Sequence, residues 1–210
     1  MNDRPDTKWR ILDAAEKLFG MKGFEATSLR DITAEAQVNL AAVNYHFQSK
    51  DSLIDAVIAR IIRPVNQKRL EKLDAAGPSP TLEEILAAFL GPVLELDLAN
   101  VAPLLGRMMS EPNLFVERIF KTHLAPVSQR FQEAIHEALP ELPRAEVAWR
   151  MHFVVGIMAH HARWCQALPV TSGGLCDISA PQAVIQRIVA FSAAGFRAPI
   201  TEPAVMTGKG

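Results

Sequence analysis

Residues 38–53 read VNLAAVNYHFQSKDSL, and the purpose of so short a helical stretch decides how the rest of the chain is read. Its apolar members are small, while Asn39, Asn44, Tyr45, His46 and Lys50 make one tight polar cluster. A core helix carries a longer apolar stripe, and a surface helix normally carries more charge. A slim helix with a polar tip suits a face that meets something flat, polar and negatively charged.

The preceding segments complete a unit around it. A first helix is expected from about Thr7 to Met21, with Trp9, Ile11, Leu12, Ala15, Leu18 and Phe19 at helical spacing and Lys22-Gly23 as the stop. Ser28 followed by Asp31 is a capping-box pattern for a second helix whose inner face is Leu29, Ile32 and Ala36. Gln37-Val38-Asn39 is a turn, and Asn39 is the N-cap of Leu40 to His46. Two helices joined by a short turn and packed on a third form a helix-turn-helix, whose second helix lies in the DNA major groove. Ala41 and Ala42 keep that helix slim enough for methyl contacts with thymine, and Asn44 offers the donor and acceptor that read adenine. Tyr45, Lys50, Thr27 and Ser28 supply donors for phosphates. On spacing alone, a surface helical hairpin without a ligand is the competing reading.

The order of motifs over residues 7–54 is strict. ILDAAEKLFGMKGFEATSLRDITAEAQV, followed by VNYHFQSKDSLIDAV, contains F-x-x-K-G-F, T-S-x-R-x-I and Y-H-F-x-S-K-[DE]-x-L in sequence. This composite resembles the DNA-binding domain of the TetR/AcrR family of bacterial transcription regulators. The resemblance implies DNA-backbone positions at Thr27, Ser28, Tyr45, His46 and Lys50, with Arg30 of the second motif among the DNA-binding residues. It implies base-reading positions at Asn39, Leu40, Ala41, Ala42 and Asn44, and an aromatic in the small core at Phe47. Many members carry Gly where this chain has Ala41 and Tyr where it has Asn44, so the resemblance does not extend to an operator sequence.

The remainder of the chain fits a helical protein. Of 210 residues, 49% are hydrophobic and 21% charged, no apolar run is long enough to span a bilayer, and MNDRPDTKWRIL is not a secretory signal. Cys165 and Cys176 suggest no disulfide framework, which points to a reduced, cytoplasmic setting. The net charge is −1, so positive charge for DNA has to be local. Strand-type alternation is missing. Helices are expected from Lys50 to about Leu73, after a Thr81/Glu84 cap, at about 101–110, 113–138 and 144–167, and from Ser179 with Pro181 in the first turn and Gln182 in the capping-box position. Pro64 is expected to kink the first of these. The fold class is all-α. An N-terminal three-helix helix-turn-helix DNA-binding domain covers 1–54, a helical ligand-binding and dimerisation domain covers 55–200, and 201–210 is a Pro- and Gly-rich disordered tail.

Along 144–167, Trp149, Phe153, Gly156, His160 and Trp164 share one face and Val147, Met151, Val155, Met158 and Ala162 the other. A helix apolar on both sides is buried on both sides, one against its own subunit and one against a partner. The last helix adds a stripe of Val184, Ile188, Phe191 and Gly195, with Ala190, Ala193 and Ala194 permitting close approach. A two-fold four-helix homodimer interface is the expectation, and a monomer with a central helix the alternative. Phe89, Leu105, Met108, Met109, Phe115, Phe120, Phe131 and Phe153, with Leu104 and Leu114 nearby, supply bulk for either a ligand cavity or an ordinary core. The methionines favour a flexible, lipid-like effector. RPVNQKRLEKLDAAG and LPELPRAEVAWRMHFVVGIMAH are similar to the family's subgroup that answers to fatty acids or acyl-CoA. Arg107, Arg118 and Arg163 are head-group candidates or plain surface charges. His152, His160 and His161 lack metal-site spacing, His161 and Cys165 lack an oxyanion loop, and no cofactor or enzymatic activity is indicated. The expected function is a ligand-responsive repressor that binds double-stranded operator DNA as a homodimer, with no membrane partner. A helical lipid-binding accessory protein without DNA is the alternative.

Overall fold

The computed structural model describes residues 6–95 and 117–200, and every regular element among them is helical. The N-terminal unit comprises α1 (Thr7–Lys22), α2 (Leu29–Ala36) and α3 (Leu40–Phe47). The long α4 (Lys50–Ala75) leads into α5 (Leu82–Leu94). After residue 116 come a π-helical turn (Phe120–Leu124), α6 (Ala125–Ala138), α7 (Arg144–Trp164), the short α8 (Leu168–Thr171) and α9 (Pro181–Arg197). The expected helix at 101–110, the start of the one at 113–138, the tail 201–210, and Leu104, Leu105, Arg107, Met108, Met109, Leu114 and Phe115 lie outside the described residues.

Local chemistry sets most boundaries. Gly23, at φ 91°, ends α1 and donates its N–H to the Phe19 carbonyl at 2.9 Å. The Ser28–Asp31 and Thr81–Glu84 capping boxes both form, each satisfying donors that the first helical turn leaves open. Two expectations fail. Ser179 turns its N–H and hydroxyl to Asp177 instead of capping α9, whose N-cap is Ala180, and Gln182 bonds Glu95 at 3.2 Å. Trp9 stays half exposed beneath the Arg60 guanidinium, 5.2 Å from its ring centroid, because the core side of α1 is already filled by Ile11, Leu12, Ala15, Leu18 and Phe19.

Two apolar cores meet along α4. Ile54, Val57, Ile58 and Ile62 pack with Phe19, Phe24, Val43 and Phe47, whereas Leu73 joins the core of the body. Ile119 and Leu124, which flank or belong to the π-helical turn, also pack into the N-terminal core. Arg118 reaches Asp51 at 3.2 Å and Asp55 at 3.4 Å on α4. The body therefore grips the N-terminal unit at a second place besides the continuous helix, and α4 runs through Pro64 without a break.

In the body, α5 packs between α4 and α9, and Phe89 meets Phe131 of α6 edge to face at 5.2 Å. Both rings are buried in the core. Phe120 is half exposed on the π-helical turn and does not join them. Phe153 is 59% exposed and stacks on Trp149 at 6.0 Å, so it belongs to the outward face of α7 and not to a pocket wall. The stripe expected on α9 also divides. Ile188 is buried, and Val184 packs against the same core, while Phe191 and Gly195 face outward. The inward face uses Ile185, Ile188, Val189, Ser192 and Phe196, a helical spacing that Phe191 and Gly195 do not share.

Removing the Phe131 ring leaves a cavity that closely packed neighbours cannot fill. Phe131→Ala is expected to cost about 3–5 kcal/mol, read as a lower urea midpoint with an unchanged slope; a loss under about 1 kcal/mol would show that this core is loosely packed.

Candidate nucleic-acid interface

An eight-residue helix has few internal hydrogen bonds, so α3 depends on its surroundings. Val43 and Phe47, one turn apart, are buried in the N-terminal core and present the opposite side outward. Asn39 Oδ1 accepts from the Ala42 N–H at 2.8 Å and fixes the start. The turn before it requires Gln37 in the left-handed region at φ 53°. Arg10 of α1 donates to the Ala36 carbonyl and, at 2.9 Å, to the Gln37 carbonyl, holding that turn against the first helix.

The outward face carries Asn39, Leu40, Ala41, Asn44 and Tyr45, all exposed, with Ala42 half-buried beside them. Tyr45 is 83% exposed, and its ring meets His46 edge-on at 5.1 Å. His46 is half-buried between Tyr45 and Phe47. Asn39 sits at the tip, but its side-chain oxygen is committed to the cap, which leaves its amide N–H₂ for a ligand. At the edges, Ser28 and Arg30 are exposed at the start of α2. Lys50 Nζ lies 3.1 Å from the Glu25 carbonyl, which places the ammonium over the turn between α1 and α2.

Thr27 departs from expectation. It is fully buried, and its hydroxyl donates toward Gly23 at 2.7 Å and Leu18 at 3.3 Å. A hydroxyl committed to two backbone acceptors in the interior ties α1 to α2 and is not offered to a phosphate. The carboxylate of Asp31 is held below its ordinary pKa, first by the Ser28 hydroxyl and then by the Ser28 backbone N–H. It therefore stays ionised next to Ser28 and accepts from that hydroxyl at 2.6 Å on the exposed edge of the unit.

Comparison with known proteins decides the family. Residues 11–57 match the model of bacterial regulatory proteins of the tetR family, and residues 87–195 match that of the tetracyclin repressor-like C-terminal domain. The chain belongs to the TetR family. That membership places it among regulatory proteins and not among enzymes. It is 26% identical over 133 residues to the probable HTH-type transcriptional regulator YttP of Bacillus subtilis, covering 62% of this chain and 64% of that one. To the HTH-type transcriptional repressor NicS of Pseudomonas putida it is 34% identical over 82 residues, 39% of each chain. The matched part thus spans under two thirds of the length of these relatives. Among solved structures, the fatty acid degradation regulator FadR from Bacillus halodurans shares the fold with a TM-score of 0.69 at 14% identity, over 94% of this chain and 100% of that one. A TetR-family regulator from Bordetella parapertussis does so with 0.67 at 13%, over 90% and 95%. No helix among the described residues is long and apolar enough to cross a membrane.

Three variants separate the roles on this face. Lys50→Ala is expected to weaken binding on every DNA sequence and to flatten the salt dependence by about one unit. Asn44→Ala should relax preference at one base pair, at a cost of about 1–3 kcal/mol there. Thr27→Val should lower folding stability by about 1–3 kcal/mol and leave the salt slope unchanged. Equal losses for Lys50→Ala and Asn44→Ala on specific and random duplexes would refute the role given to Asn44.

Proposed function

We propose that this chain is a ligand-responsive transcriptional repressor that grips a pseudo-palindromic operator as a homodimer and lets go when a small apolar molecule occupies its body. The observation that carries the reading is α3: a short helix anchored inward by Val43 and Phe47 with Asn44 and Tyr45 held out to solvent. Residues 1–54 read the DNA, and residues 55–200 hold the effector and the second subunit. Ser28, Arg30, Tyr45, His46 and Lys50 flank the phosphates, and Asn39, Leu40, Ala41, Ala42 and Asn44 meet the bases. Each recognition helix enters a major groove, with half-sites roughly 34 Å or a multiple apart.

The outward face of α7 and α9 supports the dimer. Trp149, Phe153 and Trp164 are more than half exposed, and Phe191 is 70% exposed. Gly156, Gly195 and His160 lie on the same exposed side. Glycine inside a helix costs about 1 kcal/mol relative to alanine, yet a Cβ added at Gly156 or Gly195 meets nothing within 4 Å in this chain. The subunit itself has no steric need for either glycine, whereas close approach of a partner helix does. The effector is a fatty acid or an acyl-CoA, a reading that rests on the subgroup resemblance and the apolar bulk of the body. Its binding is coupled to the DNA-reading unit through α4, with Pro64 as the pivot.

Gly195→Trp and Phe191→Asp should therefore shift the protein to monomer in sedimentation velocity while helix content by circular dichroism is kept; a wild type that is monomeric at micromolar concentration would sink the dimer. Fatty acids and acyl-CoAs of increasing chain length, titrated into the complex with DNA from upstream of the protein's own gene, should release it more strongly with length. Indifference at every length would remove lipids as effectors.

A further inference from the structure

Arg69 lies in the second half of α4, inside the body, with 5% of its surface exposed. Its Nε donates to the Phe89 carbonyl at 2.8 Å, Nη1 donates to Asn66 Oδ1 at 3.2 Å, and Nη2 points to Met158 Sδ at 3.6 Å. The guanidinium carbon stands 4.1 Å from the Phe89 ring centroid. Every one of these partners is neutral, and no Asp or Glu among the described residues pairs with Arg69. Of five guanidinium N–H groups, one on Nη1 and one on Nη2 have no acceptor among the described residues.

This is an unusual condition for a buried cation. Charges are rarely placed in an apolar interior without an opposite charge, because the desolvation cost is then not offset. The strain appears as a pKa drawn down to about 10 by burial. Arg150, the other buried arginine among the described residues, is a useful contrast. It has Glu146 at 3.1 Å and donates to the carbonyls of Gly195, Phe196 and Ala198, so it serves as an internal tie for the end of α9. Arg69 has no such set. Next to it, buried Asn66 donates to the His123 carbonyl at 2.8 Å, and the buried His123 Nε2 has no hydrogen-bond partner. A cation with spare donors thus stands beside Phe89 and Met158 in the interior of the body, joined through Asn66 to the backbone of the π-helical turn.

We propose that Arg69 anchors the carboxylate of a small organic acid whose apolar remainder lies in the body. This rests on the ligand-responsive reading above and narrows it to a free acid as opposed to an ester or thioester. One N–H on each of Nη1 and Nη2 is what a two-oxygen planar anion takes in a bidentate pair. A dianionic phosphate would bring a second charge, and among the described residues no second cation contacts the Arg69 guanidinium to meet it. Asn66, shared between Arg69 and the His123 carbonyl, links the anchor to the π-helical turn, whose preceding residues Arg118 and Ile119 contact the DNA-reading unit.

The test uses the full chain, wild type and Arg69→Met, titrated by calorimetry with octanoate, dodecanoate and hexadecanoate, their methyl esters, and dodecyl phosphate. At least one acid should bind wild type about 10- to 100-fold more tightly than the variant, the range of a charge-assisted hydrogen bond. The esters should not distinguish the two proteins. Without ligand, Arg69→Met should unfold at the wild-type temperature or above, since it removes an uncompensated charge. A much lower midpoint would make Arg69 a structural tie and overturn the inference. So would equal binding of acids to both proteins, preference for dodecyl phosphate, or no binding of any acid to wild type. Acids that bind through Arg69 without changing affinity for DNA would leave this site standing and remove ligand-driven release, whereas release by esters as readily as by acids would do the reverse.

Discussion

An eight-residue helix cannot hold its shape alone in water, and everything this protein does with DNA depends on α3 being held from behind. Two side chains, Val43 and Phe47, provide the grip. The caps do the rest: Asn39 starts the helix, and Ser49 then starts α4 by accepting from the Ser52 N–H at 3.1 Å. Between these helices the backbone must pass through Gln48 at φ 64°, as it passes through Gln37 at φ 53° before α3. Non-glycine residues in that region cost on the order of 1 kcal/mol or more, so the turns persist because packing over-determines them. Buried Thr27 and the Arg10 guanidinium are part of that frame: the first fastens the start of α2 to α1, and the second fastens the turn before α3 to the same helix. The exposed polar tip is therefore a consequence of the buried side, and apart from the capping Asn39 its residues are free to vary without loosening the helix.

A comparable constraint operates along α4. One helix is long enough, roughly 39 Å at 1.5 Å per residue, to belong to both cores, and its 26 residues divide between them. A single covalent bridge would allow the two units to swing independently. Ile119 in the N-terminal core and Arg118 against Asp51 and Asp55 remove that freedom at a second point. Since interfaces of packed side chains are bistable more than they are elastic, two grips on one unit favour discrete arrangements. Displacement of the π-helical turn is then felt directly at the N-terminal end of α4, one residue from Lys50.

The features legible in the sequence are mostly those that local chemistry dictates. The capping boxes at Ser28 and Thr81, the Asn39 cap and the Gly23 stop each need only residues within a few positions of one another. The helix-turn-helix was legible because its motifs are dense and ordered over nearly fifty residues. The features that were not legible depend on which neighbour arrives from elsewhere in the chain. Thr27 looks like a phosphate donor until Leu18 and Gly23 turn their carbonyls to it. Ile188 and Phe191 are equally apolar, and only the position of α5 decides that the first is inside and the second outside. Phe153 reads as core by composition, yet the inward side of α7 is occupied by Val147, Met151 and Val154. Arg150 and Arg69 could not be found from composition either, since a buried arginine and a surface one have the same letter and the same local context.

Charge on the DNA-reading unit is set by these arrangements and not by the net count. Lys17 is paired with Glu35 at 2.6 Å, Lys22 lies 3.7 Å from Asp31, and Arg60 is engaged with Asp13 at 2.6 Å. Arg10 is turned to backbone carbonyls. Much of the unit's positive charge is thus committed within the unit, which among the described residues leaves Lys8 exposed at the start of α1 and Arg30 and Lys50 at the margins of the α3 face. With so few cations, counterion release contributes little to affinity per subunit, and a single subunit would bind DNA weakly. Two subunits on one duplex, as proposed above, would double the phosphate contacts and add the gain of a tethered second site. An electrostatically lean reading head and a strongly apolar outward face on α7 and α9 both fit the proposed dimer: the weaker the grip of one head, the more a second head would add.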